Sequence, residues 1–118
     1  MTRSRTSAKQ AGARFEREIA EYLALKLDDQ RIERRARNGS KDRGDITGVM
    51  FQGKRVVIEC KNVTKVALPQ WLKEAEIERG NDDAFIAVVA HKRHGIGDPG
   101  MQHVTMTVDT LVAILGGA

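Results

Sequence analysis

Residues 84–90 read AFIAVVA, a seven-residue run without one polar side chain. A run of that length, bounded by Asp82-Asp83 on one side and His91-Lys92 on the other, reads as a β-strand buried on both faces. Such a strand needs cover above and below, so the chain must supply helices for both sides of a sheet. Two segments answer that need. In residues 8–27, Ala11, Phe15, Ile19, Leu23 and Leu27 recur every fourth position, with Tyr22 beside them, which predicts a helix with one apolar stripe. In residues 69–79, Pro69 starts a second helix, Trp71, Leu72 and Ala75 give it an apolar side, and Gly80-Asn81 is expected to stop it.

Strands are expected at 31–37, 45–50, 54–61 and 103–108, the first ended by Asn38-Gly39-Ser40. In the last, Val104, Met106 and Val108 alternate on one face, as in an edge strand. Residues 91–100 form a basic, glycine-containing loop, and a short helix capped by Thr107 or Asp109 runs through Leu115 to Gly116-Gly117. The order α-β-β-β-α-β-β-α predicts an α/β fold: a single domain with a mixed central β-sheet flanked by helices. At 118 residues the chain suits one domain, residues 8–118, preceded by a flexible basic arm over residues 1–7.

Composition excludes several classes. Charged residues make up 31% and no long apolar run occurs, so no membrane span is expected. The N-terminus has positive charge but no apolar stretch behind it, unlike a secretory signal. Cys60 is the one cysteine, so no internal disulfide forms and a reducing, cytoplasmic compartment is the expectation. It reads as a buried, inert strand residue. His91, His94 and His103 have no spacing that closes a zinc site. Arg43-Gly44-Asp45 matches an adhesion tripeptide only by accident, and Trp71 reads as core, with a dimer contact as the alternative.

The net charge of +4 is unevenly spread. Arg31, Arg34, Arg35, Arg37, Lys41 and Arg43 fall within thirteen residues and lead directly into Asp45. A charge run by itself is a solvated loop. Next to an acidic strand start, it reads as a phosphate-gripping loop, for which arginine's bidentate donors are suited.

Asp45 opens one strand, and Glu59 and Lys61 lie two residues apart on the next, hence on one face. Register decides whether they meet. A two-residue turn at Gln52-Gly53 would put Asp45 opposite Cys60 and turn it away from Glu59. A three-residue loop, Phe51-Gln52-Gly53, or another of the same parity, puts Asp45 opposite Glu59, with Gly53 in the left-handed position. That loop is the expectation, with Ile46, Ile58 and Cys60 then facing the core. Two carboxylates able to share a divalent cation beside an ammonium group suit phosphodiester hydrolysis. Glu16, at about 100° per residue, falls at the margin of the first helix's apolar stripe, a better site position than mid-surface.

Taken together, GARFEREIAEYL at 12–23 with its Glu16-Arg17 pair, Arg37-Asn38-Gly39-Ser40-Lys41, Gly44-Asp45-Ile46 and Ile58-Glu59-Cys60-Lys61 resemble the PD-(D/E)xK nuclease superfamily. Within it the chain is similar to archaeal-type and phage Holliday-junction resolvases, over about residues 12–90. Gly44 stands where that superfamily has proline, and past Lys61 the similarity fades. The resemblance implies a restriction-endonuclease-like fold for the nuclease domain, 8–118. It also implies a homodimeric DNA endonuclease of recombination and repair, located in the host cytoplasm if phage-encoded. Asp45, Glu59 and the Cys60 main-chain carbonyl would hold Mg²⁺ or Mn²⁺, and Glu16 would join directly or through a water. Lys61 would act on the attacking water and on developing charge, leaving a 5′-phosphate. Lying amid carboxylates, it is expected to stay protonated and act electrostatically. Arg17, Arg35, Arg37, Lys41 and Arg43 would grip the DNA backbone, positioning it without reading sequence. Three readings follow in order: a resolvase of four-way junctions; another nuclease of that superfamily, for nicking, repair or end processing; and a DNA-binding module without catalysis.

Overall fold

The structure, a computed structural model, describes residues 4–35 and 42–117. Helix α1 spans Arg5–Lys26, and the Ser4 hydroxyl accepts the Ser7 N–H at 3.0 Å to cap it. That cap starts the helix three residues earlier than its apolar stripe does, so residues 4–7 do not form part of an arm. Phe15, Ile19 and Ala20 are its buried face, whereas Leu27, beyond the last turn, is exposed. Strand β1 is Glu33–Arg34, β2 Ile46–Thr47, β3 Met50–Phe51 and β4 Lys54–Lys61. Helix α2 spans Leu68–Asp82 and β5 Ile86–His91. A 3₁₀ turn at Pro99–Met101 leads to β6, His103–Thr105, and α3, Val108–Gly116.

The six strands form one mixed sheet in the order β1-β2-β4-β5-β6, with β3 also paired to β4. Strands β4 and β5 are parallel, connected through α2, and the remaining pairs are antiparallel. On one face α1 brings Phe15 and Ile19 onto Ile46, Ile58, Cys60, Val88 and Ala90. On the other, α2 brings Trp71 and Ala75 onto Val57, Ala87 and Val89. Ile86 to Ala90 are all buried, as a two-sided strand requires. The fold is therefore a single α/β domain with helices on both sides of a mixed sheet. Among the described residues no helix is long and apolar enough to cross a membrane.

The single strand expected over 45–50 is broken at Gly48 into β2 and β3, so the order is α-β-β-β-β-α-β-β-α, with one strand more than expected. Three further features of α2, β6 and the β3–β4 hairpin also differ. Helix α2 runs through Gly80-Asn81 to a left-handed Asp83, because the Asn81 side chain is engaged elsewhere, donating to the Asp42 carbonyl at 2.8 Å. Strand β6 stops at Thr105, since the Thr107 hydroxyl accepts the Thr110 N–H and diverts the chain into α3; Val108 is therefore helical. The hairpin between β3 and β4 has the two-residue turn, not the three-residue loop. Gln52 and Gly53 take φ of +51° and +80°, which match the twist of the flanking strands, and Phe51 pairs with Lys54 and Met50 with Arg55.

Parity is restored inside the strand instead. Ile46 pairs with Ile58, so one strand uses four steps where its partner uses three, a bulge centred on Gly48 at φ +88°. That bulge puts Asp45 back on the Glu59 side. A Cβ at residue 48 would sit 2.2 Å from the Arg31 carbonyl oxygen, in a backbone region that L side chains resist. Gly48→Ala is expected to cost about 3 kcal/mol or more, from left-handed strain plus overpacking. Urea denaturation of the two proteins measures it, and a loss below about 1 kcal/mol would show that the bulge is not what sets the register.

Candidate metal centre

The alternation of β4 sends Glu59 and Lys61 to the α2 side and Ile58 and Cys60 to the α1 side. Asp45 stands just ahead of β2. Its N–H donates to the Ile58 carbonyl at 3.1 Å and its carbonyl accepts the Arg35 N–H at 2.8 Å. One of its carboxylate oxygens, Oδ2, accepts the Cys60 N–H at 2.7 Å. The Asp45 carboxyl also meets that of Glu59. The expected pair is therefore assembled, although by the bulge rather than by the turn.

Two further carboxylates join them that none of the acidic motifs contains. Asp42, Glu59 and Glu78 each place an oxygen within 4.8 Å of the others, a group that could hold a metal ion. Glu78 comes from α2 and is 2% exposed. It continues the Trp71–Ala75 stripe at i+4 and i+7, so a glutamate at a core helical position is the signal that marks it in the sequence. Asp42 sits three residues before Asp45, hidden among the arginines of the basic segment. Its Oδ1 accepts the Gly44 N–H at 3.0 Å.

The electrostatics follow from burial and crowding. Burial, with the neighbouring Glu59 carboxyl, pushes Asp45 up to about 8 against the opposing Cys60 N–H. Glu59 is likewise pushed up to about 8 by burial and by Glu78, despite Lys61 and its hydrogen bond with Asp45. Burial, reinforced by Asp42 and Asp45, takes Glu78 up to about 7. Among the described residues, none of Asp42, Asp45, Glu59 and Glu78 has a salt-bridge partner. Among the described residues, both Glu78 oxygens are buried without a hydrogen-bond donor. A group of crowded carboxylates, two of them buried, that has no salt-bridge partner among the described residues fits a hard divalent ion held by oxygen.

Glu16 borders the group and feels Asp45 and Asp42; burial raises it, while Arg34, 2.9 Å away, opposes that rise. Burial works against the Lys61 charge, but Glu74, Glu59 and Asp45 outweigh it and raise its pKa. The ammonium lies 3.2 Å from Glu74 on α2, so it stays protonated, as its acidic surroundings predict.

The cationic residues divide. Arg17 and Arg43 are exposed. Arg35 turns inward, 3.7 Å from Asp82 with a buried Nε, and so is not a free phosphate contact as placed. The reason is the Arg35–Asp45 backbone bond, which draws this end of β1 onto the sheet. Arg37 and Lys41 lie outside the described residues. Trp71 is buried against the His91 ring. Each histidine has its own neighbour: His91 meets Thr105 at 2.7 Å and the ring of His103, and His94 meets the Val63 carbonyl at 3.1 Å. Burial and the surrounding carboxylates raise the Cys60 thiol, as befits an unreactive cysteine. A scan of protein-family models, a search of curated proteins and a search of solved structures each returned no match.

Proposed function

We propose that the protein is a metal-dependent, structure-selective DNA endonuclease with a restriction-endonuclease-like core, acting on four-way junctions. The observation that carries this reading is the buried acidic group around Glu59, with Lys61 on the same sheet face two residues away. Asp45, Glu59 and the Cys60 carbonyl would hold Mg²⁺ or Mn²⁺, with Glu16 at the rim. The ion would supply Lewis-acid activation of a phosphodiester and of water. Lys61, kept charged by its acidic neighbours, would offset charge that builds on the scissile phosphate. Release from Glu74 would free it to do so. Arg17 and Arg43, open to solvent, would contact backbone phosphates, joined by Arg37 and Lys41.

Two symmetric cuts in a junction call for two sites related by a two-fold axis. We place the partner protomer on α3. Val108, Leu111, Val112 and Leu115 fall on one arc of the helix and are 44–76% exposed. They offer on the order of 400 Å² of apolar surface, about the apolar share of a standard ~800 Å² half-interface. The stripe carries no charge, so it is complementary to its own copy and unsuited to DNA. Sedimentation velocity is expected to give twice the chain mass for wild type and the chain mass for Leu111→Glu/Leu115→Glu. A monomeric wild type at tens of micromolar removes the dimer.

Cleavage of a labelled four-way junction beside matched linear duplex, in Mg²⁺, Mn²⁺ or EDTA, tests the function. Paired symmetric cuts confined to the junction and lost in EDTA are expected. Equal cutting of both substrates would make it a general nuclease of this type. DNA binding without cutting in any metal would leave a binding module.

A further inference from the structure

We infer that Asp42 and Glu78 form a second divalent-cation site that shares Glu59 with the Asp45 site. The inference rests on the nuclease reading above for its first site, and adds two ligands that no part of the nuclease-like motifs contains. Glu78 carries it. Glu78 is 2% exposed, both its oxygens lack a donor among the described residues, and it points at Glu59 and Asp42. A carboxylate in that position is sustained by a proton or by a cation.

The flanking contacts leave the right atoms free. Asp42 uses Oδ1 for the Gly44 N–H, and Asp45 uses Oδ2 for the Cys60 N–H, so each retains an oxygen for an ion. Asn81, one helical turn beyond Glu78, holds the Asp42 carbonyl at 2.8 Å. Helix α2 thus presents two adjacent side chains to Asp42: one fixes its backbone and the other meets its carboxylate. Glu59 lies between, touching Asp45 on one side and Glu78 on the other, the position of a bridging ligand.

Charge points the same way. When ionised, Asp42, Asp45, Glu59 and Glu78 bring four negative charges to one locus, and among the described residues none of the four has a salt-bridge partner, Lys61 being paired with Glu74 at 3.2 Å. One divalent ion leaves half of that charge uncompensated; two balance it. All donors are oxygen, which suits Mg²⁺ and Mn²⁺ over softer metals. Two such ions would supply charge stabilisation for both the attacking and the leaving oxygen of a phosphodiester displacement.

Mn²⁺ titration of the full chain, read by electron paramagnetic resonance, tests this. Wild type is expected to bind two Mn²⁺ per chain with an exchange-coupled spectrum. Glu78→Gln and, independently, Asp42→Asn should bind one, uncoupled, with the second affinity at least about tenfold weaker. Asp45→Asn should also lose one ion while retaining the other. Circular dichroism in EDTA confirms that each variant is folded; glutamine at 78 keeps the shape and removes the charge. One Mn²⁺ per wild-type chain, or two in Glu78→Gln, overturns the second site. If junction cleavage persists in that case, the nuclease reading stands without it. No Mn²⁺ bound and no cleavage overturns both.

Discussion

Asp45→Asn is expected to lower junction cleavage by at least about 10³-fold while DNA affinity stays within about threefold. Asparagine can still accept the Cys60 N–H that Asp45 receives at 2.7 Å, so the β2–β4 junction should hold its geometry. What disappears is the negative charge that would hold the cation next to Glu59. Binding is carried by exposed arginines such as Arg17 and Arg43, which the substitution does not touch, so affinity and rate should separate. Removing a crowded carboxylate should also leave the metal-free protein at least as stable as wild type. Single-turnover cleavage in Mn²⁺ with a parallel binding titration measures both. A variant that cuts within tenfold of wild type would mean that Asp45 does not serve the chemistry.

The second large effect is on stability without metal. Asp45 and Glu59 are raised to about 8 and Glu78 to about 7, from ordinary values of 3.8, 4.5 and 4.5. A carboxyl raised on folding binds its proton more tightly in the folded chain. The stabilisation is complete below about pH 4 and is lost as pH rises through 7 to 8. In EDTA the melting temperature should therefore fall by at least about 10 °C between pH 5 and pH 9. Mg²⁺ or Mn²⁺ should reverse the fall, increasingly at high pH, because the ligands bind metal when deprotonated. Glu59→Gln, which removes the group in contact with both Asp45 and Glu78, should flatten the curve most. A melting temperature independent of pH and of metal over this range would show that these carboxylates are not crowded in solution.

Much of this architecture is legible in the order of residues alone. The AFIAVVA run requires a covered strand, and Ile86 to Ala90 are buried. The four-residue recurrence of Phe15, Ile19 and Leu23 marks the α1 face. The two-residue alternation of β4 puts Glu59 and Lys61 together and Cys60 in the opposite core. Capping at Thr107 follows from side-chain chemistry. These are local patterns, written in periods of 2 and 3.6 residues.

Where pattern and structure part, the cause is a contact between distant positions. Parity between Asp45 and Glu59 is required, but the extra residue lies at Gly48, where close approach to Arg31 demands glycine, rather than in the turn. Gly80-Asn81 has the chemistry of a helix stop, yet α2 continues through it, and the Asn81 bond to Asp42 spans 39 positions. Arg35 has the chemistry of a phosphate contact, yet its backbone bond to Asp45 draws it onto the sheet, where it lies 3.7 Å from Asp82, far along the chain.

Local pattern thus accounts for the three helices, the two covered sheet faces and the shared side of Glu59 and Lys61, because each depends on neighbours a few residues away, whereas the side of Asp45 is set by the Gly48 bulge. The core position of Glu78 on α2 is legible in its helical period, but its meeting with Asp42 and Glu59 is decided by packing. Helix α2 must first cross the sheet between β4 and β5 to lay Glu78 over Glu59. Charges so far apart in the chain share one dry site only after packing has excluded water from between them.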